Sequence, residues 1–428
     1  MVICINNFFA SRTMKTNYKH LKFACYTTNV TMSVVANLSP VLFITFRTLY
    51  GISYSLLGTL VLVGFTTQLV IDIIFSFFSH KFNIEKTVKA TPLIAAAGLL
   101  FYAVWPFIFP DDIYIGLLIG TLIFSASGGL AEVLISPVIA AIPSKDPDRE
   151  MSKLHSIYAW GVVGVIIIAT VYIMLLGGEN WQYLALAFML IPLVSFVLFF
   201  RSEIPEMETP ERVSGALKEL KNKKLWLCLL AIFLGGASEC TMAQWSSGYI
   251  ERALGIDKLW GDIFGVALFG ATLGLGRSLY AKYGKSISKI LIWGAVGAFV
   301  CYVTAAVSNI PVLGLLACGF TGFCTSMMWP GCLIVVQEYF PKAGVFVFAM
   351  MAAGGDFGAS VGPQLVGIVT DTVAASTNFA ELAQSLSITS EQLGMKLGVL
   401  VGALFPLIGI FVYLYIHNKT FKRKKTLA

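Results

Sequence analysis

The sequence predicts an all-α membrane protein with twelve transmembrane helices in two pseudo-symmetric halves of six helices each. Of its 428 residues, 57% are hydrophobic and only 12% are charged, which is too apolar for a soluble globular protein. A bilayer core about 30 Å thick is crossed by about 20 helical residues at 1.5 Å each. Twelve apolar stretches of suitable length lie at 24–46, 52–79, 90–109, 113–142, 156–176, 181–200, 225–250, 262–280, 288–308, 311–337, 344–370 and 395–416.

The twelve stretches are predicted to be helices and to form two bundles. In hydrocarbon the backbone must satisfy its own hydrogen bonds, and continuous apolar runs without alternation achieve this only as helices. The sequence turns polar and charged between spans 6 and 7. We therefore expect an amino-terminal six-helix bundle at 1–203, a cytoplasmic linker at 204–224 and a carboxyl-terminal six-helix bundle at 225–428.

The two predicted halves echo each other in sequence. Gly129 and Pro137 in span 4 are separated by eight residues, and so are Gly322 and Pro330 in span 10. Repeated halves around a central site are a common design of secondary transporters. The spacing therefore favours a six-plus-six arrangement.

The distribution of basic residues predicts the orientation. All but four of the 30 Lys and Arg residues fall on one side of this map, the exceptions being Arg47, Arg252, Lys258 and Lys396. By the positive-inside rule, both termini are expected in the cytoplasm and the chain in the plasma (inner) membrane. The net charge of +7 then reflects contact with anionic membrane lipid, and no nucleic-acid partner is expected. We expect a monomer.

Four acidic residues lie inside predicted spans: Asp72, Glu132, Glu239 and Asp356. Each costs about 2.5–3.5 kcal/mol at the bilayer centre, so each implies an aqueous cavity or a partner. Three of them continue stripes of small or polar residues at helical spacing, which are Ser125-Gly128-Gly129-Glu132-Ser136, Gly235-Gly236-Glu239-Ser246 and Ala352-Ala353-Asp356-Ser360. These faces are expected to point into the bundle. The alternative is that the carboxyls only hold helices together.

Buried carboxyls suit proton coupling because desolvation disfavours their charged form. The residues predicted to take part are Glu132, Glu239, Asp356, Asp72 and His155, a histidine at the start of span 5 that can join a relay. No cofactor or metal site is expected. The coupling ion is expected to be a proton, with sodium as the alternative.

Three tryptophans are predicted near the middle of the bundle: Trp160, Trp245 and Trp329. A flat ring with one N–H donor can stack on a sugar while neighbouring polar groups bind its hydroxyls, although ordinary packing explains such residues equally well. The expected substrate-binding set adds four amide side chains to these rings, namely Asn29, Gln68, Gln244 and Gln364.

The pattern Gly358-Ala-Ser-Val-Gly362 matches a serine-hydrolase motif, but it lies inside an apolar helix where no strand precedes it. Small residues that let helices approach closely are the better explanation, as also for Gly270-x-x-x-Gly274. No nucleophile, base and orienting group can be assembled. We therefore do not expect an enzyme.

Several of these segments resemble the major facilitator superfamily and, within it, the branch of fucose:proton symporters. The segment from Gly128 to Pro137 is similar to the Glu-x-x-x-Asn-Pro motif of that branch, with Ser136 in the Asn position. Met327-Met-Trp-Pro330 and Gly354-Gly-Asp-Phe-Gly358 are similar to its motifs in the carboxyl half. The resemblance implies alternating access, with Glu132 as the proton-binding carboxyl.

The leading hypothesis is proton symport of a small polar solute, a sugar or a related compound. Two alternatives stay open. One is an exporter of drugs or other amphipathic compounds on the same fold, and the other is a non-transporting membrane sensor.

Overall fold

The computed structural model of the chain describes residues 18–78, 81–144, 147–205, 221–284, 286–340 and 345–427, and no strand occurs among them. The amino half contains α1 (Lys19–Val41), α2 (Phe43–Tyr50), α3 (Tyr54–Phe78), α4 (Ile84–Ile108), α5 (Ile113–Ala141), α6 (Pro147–Leu176) and α7 (Trp181–Phe200). The carboxyl half contains α8 (Lys223–Arg252), α9 (Lys258–Gly261), a π-helix (Asp262–Ala267), α10 (Leu268–Tyr283), α11 (Ile287–Val307), α12 (Pro311–Thr325), α13 (Met328–Tyr339), α14 (Val345–Ala375), α15 (Thr377–Ser385), α16 (Ser390–Gly402) and α17 (Leu404–Leu427).

The helices account for the twelve predicted spans. Within the described residues, ten helical segments are long and apolar enough to cross a membrane, and the bent pair α1–α2 makes an eleventh. Helix α14, with 31 residues, covers the remaining predicted span. Most of the predicted linker 204–224 lies outside the described residues, so the predicted bundle boundaries stay a prediction.

Prolines explain two interruptions that the hydropathy pattern does not reveal. A proline has no N–H to donate to the carbonyl four residues before it, which weakens the helix there. The α1–α2 pair bends by 42° just after Pro40, and α12 ends at Thr325, five residues before Pro330 of α13. The carbonyls left without helical donors are those of Ala36 and Ser326.

An even number of crossings defines two faces of the bundle. The terminal face is the one where α1 begins and α17 ends, and the distal face is the opposite one. In the distal half of the bundle a single hydrophobic cluster joins the two halves, including Phe46 and Trp181 with Trp245 and Tyr302. Towards the terminal face, each half has a separate hydrophobic cluster.

Glycines bring helices close together at several contacts. Gly358 of α14 faces the backbone of α8 so closely that an added Cβ would overlap the carbonyl oxygen of Phe233. At Gly274 of α10 an added Cβ would lie 3.7 Å from Ala159 Cβ of α6, which is ordinary van der Waals contact. The expectation that both glycine motifs serve close helix approach is confirmed, with α14–α8 the tighter pair.

Gly358→Ala is therefore expected to destabilise the protein, because the methyl group meets a backbone atom that cannot move aside. Overpacking of this kind costs about 1–3 kcal/mol. Thermal unfolding in detergent should show a clearly lowered Tm for this variant. Gly274→Ala is the matched control and should leave the Tm nearly unchanged; equal Tm values for the two variants would contradict the packing described here.

Candidate functional site

Three of the predicted acids meet between the two halves. Asp72 of α3, Glu132 of α5 and Asp356 of α14 each offer a carboxylate oxygen, and these oxygens all lie within 4.8 Å of one another. Asp72 and Asp356 are each only 1% exposed, and Glu132 is half-buried. We call these three residues the acidic trio. Asp72 and Asp356 come from opposite halves, and a hydrogen bond between two carboxyls requires that one of them carries a proton.

The three carboxyls of the trio lie close enough for each to influence the charge of the others. Three negative charges at this separation repel one another strongly in a poorly solvated interior. Charge must therefore be removed by protons or balanced by a small cation. The trio is a place where the protein can bind positive charge at the boundary between its halves.

Glu239, the fourth predicted acid, has a different environment. Nη2 of Arg277 on α10 lies 3.2 Å and 3.4 Å from the two carboxylate oxygens of Glu239 on α8. Nε of the same guanidinium donates to the Ser326 carbonyl at 3.1 Å, which Pro330 leaves without a helical donor. Glu239 is therefore held in an ion pair within the carboxyl half.

Trp329 packs between α8 and α14. Its ring rests on Gly236 of α8 and Gly355 of α14, and a Cβ at residue 355 would come within 2.6 Å of the ring. Gly236 lies one helical turn before Glu239, and Gly355 directly precedes Asp356. The two glycines thus create the space for an indole ring between the helix that carries Glu239 and the helix that carries Asp356.

A small central cavity lies on the distal side of the trio. Its volume is about 30 Å³, and its polar lining comes from Ser39, Gln68, Thr121, Ser125 and Gln244. About 10–15 Å³ of such volume holds one water molecule, so the cavity accommodates about two. This cavity must therefore widen before a larger solute can enter it.

Polar contacts close the distal face across the two halves. Asp371 at the end of α14 accepts hydrogen bonds from the Ser55 amide and hydroxyl, both at 2.6 Å, and from the Tyr54 amide at 3.2 Å. It thereby caps the amino terminus of α3, where helical N–H groups lack partners. Glu391 accepts from the Tyr54 hydroxyl and pairs with Arg47 at 3.4 Å.

Two further bonds reinforce this closure. Arg252 donates to the Thr48 hydroxyl at 2.9 Å, and Thr170 donates to Asp262 at 2.6 Å. Near the terminal face, by contrast, the described Lys22–Glu150 pair stays within the amino half. There the Lys22 ammonium holds the pKa of the Glu150 carboxyl below its usual range. Among the described residues, the hydrogen bonds and ion pairs between the halves are therefore concentrated at the distal face.

Comparison with known proteins identifies the family. The sequence model of the Major Facilitator Superfamily matches residues 24–363. The chain belongs to this superfamily. By sequence, no curated protein is significantly similar to it.

Solved structures of the superfamily share the fold at low sequence identity. A bacterial homolog of the human lysosomal transporter Spinster, in an inward-facing and occupied conformation, has a TM-score of 0.72 at 12% identity, covering 93% of this chain and 96% of that one. The D-xylose–proton symporter has a TM-score of 0.69 at 15% identity, covering 90% of this chain and 96% of that one. The fucose transporter FucP in its outward conformation has a TM-score of 0.58 at 14% identity, covering 92% of this chain and 99% of that one. These similarities establish the twelve-helix transporter fold.

Two predicted solute-binding residues line the cavity of this superfamily member. Gln68 lies against Gly128 and Gly129, which let α3 and α5 approach each other. Gln244 donates to the Ala36 carbonyl at 3.3 Å, the carbonyl that Pro40 leaves without a helical donor. Both side chains therefore combine a structural contact with a position at the cavity wall.

The other predicted residues lie away from the cavity lining. Asn29 donates to the Leu154 carbonyl at 2.8 Å inside the amino half. Trp245 is 1% exposed, and its indole N–H donates to the Pro363 carbonyl at 2.8 Å. Gln364 packs against Gly58 where α14 crosses α3. These three residues join helices in this conformation.

The sequence assigned two residues differently from the structure. Trp160 was expected near the middle of the bundle, but it is 69% exposed, because Gly161 and not Trp160 faces Ser33 of α1. Arg277 was counted among the basic residues of the terminal face, but its guanidinium lies inside the carboxyl half, bound to Glu239. The side chain of His155 lies outside the described residues.

Asp371→Asn is expected to open the distal face more often, because an amide loses the charge that caps α3. Hydrogen bonds to charged groups are worth about 1.5–3 kcal/mol, so opening should become about tenfold more frequent. The readout is alkylation of Ser125→Cys in the cavity by a membrane-impermeant maleimide applied to the distal side of oriented vesicles. Asp111→Asn, which removes an exposed acid on the same face, is the control. Equal alkylation rates in both variants would contradict this role of Asp371.

Proposed function

We propose that the protein is a secondary active transporter that takes up a small uncharged polar solute, a sugar or a related compound, by proton symport with alternating access. It acts as a monomer in the plasma (inner) membrane, with its termini in the cytoplasm. The terminal face is then the cytoplasmic one. The observation that carries the proposal is the acidic trio, which brings carboxyls of both halves within 4.8 Å of one another.

The trio supports proton coupling through its electrostatics. Two unit charges 4.8 Å apart repel by about 3–4 kcal/mol at an effective dielectric constant near 20. Bringing Asp72 and Asp356 together while both are ionised is therefore costly. Protonation removes this repulsion and adds the hydrogen bond between the halves. In this proposal, the occluded carrier forms readily only when the trio has bound its protons.

The cavity lining supports an uncharged polar solute. Hydroxyls and amides of Ser39, Gln68, Ser125 and Gln244 offer both donors and acceptors without net charge. Once the trio is protonated and Glu239 is paired with Arg277, the surrounding interior is also close to neutral. Such a site favours a solute with many hydroxyl groups over a charged one.

The runner-up is an exporter of amphipathic compounds, and one observation favours it. The four acids of this interior outnumber the single Arg277 among the described residues, so an ionised trio would attract an amphipathic cation. A non-transporting sensor gives no reason for three acids to meet at a boundary between two movable halves.

Glu132→Gln and Asp72→Asn are expected to abolish uptake driven by a pH gradient, with a loss of at least about tenfold, because an amide cannot release a proton. Counterflow exchange of solute should persist, since it needs no net proton movement and the amide resembles the protonated carboxyl. Uptake driven by a pH gradient and counterflow exchange are both measured in proteoliposomes. The solute is a sugar that stabilises the purified carrier in a thermal-shift screen at two pH values.

Glu381→Gln, on the exposed helix α15, serves as the matched control and should transport normally. Normal pH-driven uptake by Glu132→Gln, or uptake that follows a sodium gradient instead, would refute proton coupling at the trio. If cells lacking the protein accumulate cationic dyes and show no loss of sugar uptake, the exporter is the correct alternative.

A further inference from the structure

Arg277 is a half-buried basic residue for which the proton-coupling scheme has no use. It lies on α10, and its side chain is 31% exposed, beside a Glu239 side chain that is 14% exposed. The pair is therefore accessible and not sealed in the protein core. Helix α10 meets the amino half about one turn earlier, where Gly274 lies against Ala159 of α6.

The position of the guanidinium is fixed by two neighbours. Nε donates to the Ser326 carbonyl, and Nη2 donates to both oxygens of Glu239. A guanidinium has five N–H donors in a rigid plane, and these bonds occupy one edge of it. In the described part of the chain, no residue accepts a hydrogen bond from Nη1. The remaining donors are therefore held in a constant orientation at an accessible position.

The ion pair offers donors and acceptors side by side. The Nη1 group presents two N–H donors, and the Glu239 carboxylate retains lone pairs beside them. Two adjacent hydroxyl groups match this arrangement, because one can accept from the guanidinium while the other donates to the carboxylate. Charge-assisted hydrogen bonds of this kind are stronger than those between neutral groups.

Trp329 adds an apolar surface next to the pair. Its ring touches Gly236, one turn from Glu239 on α8. A pyranose presents hydroxyl groups at its edge and C–H groups on its face, so a ring that stacks on an indole can direct its edge towards a neighbouring polar pair. Both features are supplied by the carboxyl half, whereas the cavity amides come from both halves.

Building on the proposed function, we infer that Arg277 is a solute-binding residue that, together with Glu239, recognises adjacent hydroxyl groups of an uncharged polyhydroxylated solute. Glu239 then binds the solute and does not carry the coupling proton. The acids divide into two groups with separate tasks: the trio takes up protons, and the paired Glu239 sets specificity.

The test compares Arg277→Lys and Glu239→Gln with the parent protein in proteoliposomes. L-fucose, D-xylose and D-mannitol are the probes, and each is compared with an analogue that lacks one hydroxyl. Lysine keeps the charge but loses the planar fork, so we expect KM to rise at least tenfold. The kcat and the pH profile of uptake should stay as in the parent, and the variants should discriminate less against the deoxy analogue. Arg201→Lys, an exposed residue of the terminal face, is the control.

A double exchange, Glu239→Arg with Arg277→Glu, separates binding from structure. If the pair served only stability, the exchange would restore both the Tm and the KM, and this result would overturn the inference. An unchanged KM in Arg277→Lys, a shifted pH profile in Glu239→Gln, or no thermal stabilisation of the parent by any probe would overturn it as well. Counterflow and thermal-shift measurements need no proton gradient, so they remain decisive even if proton coupling at the trio fails.

Discussion

A carboxylate in the interior of a membrane protein must be neutralised, and the organisation of this molecule depends on how each buried acid meets that requirement. Glu239 meets it with Arg277, at a fixed distance and within one half of the protein. The trio instead brings together three acids that come from both halves. The same electrostatic constraint therefore produces a permanent ion pair in one place and a site that must exchange charge with solvent in another.

Much of the fold could be predicted from the sequence, because long apolar runs in a bilayer leave the backbone no alternative to helices. The span boundaries agree within a few residues, and the acids Glu132, Glu239 and Asp356 do point into the bundle. The meeting of Asp72, Glu132 and Asp356 across the two halves could not be predicted, since helical periodicity gives the face of one helix but not the neighbour that packs on it. The amphipathic helix α15 was missed because hydropathy finds only long apolar segments.

The inward position of the Arg277 side chain could have been predicted from two sequence patterns that a count of basic residues does not use. It continues the small-residue stripe of Gly270 and Gly274 at helical spacing, which indicates that it shares their inward face. Pro330 in turn marks Ser326 as a carbonyl that needs an outside donor. Combining the two patterns would have suggested a basic side chain reaching span 10. A count of basic residues treats such an arginine as part of the loop that follows it.

The π-helix at Asp262–Ala267 has a consequence for how α10 meets α6. Twelve residues separate Asp262 from Gly274, and in an unbroken α-helix they would point about 120° apart. The wider turns of a π segment absorb about one residue, which reduces this angle to about 20°. Asp262 and Gly274 can therefore both face α6, at Thr170 and Ala159. Deleting one residue of the π-helix would rotate Gly270, Gly274 and Arg277 away from their partners, while the composition of the span would stay almost unchanged.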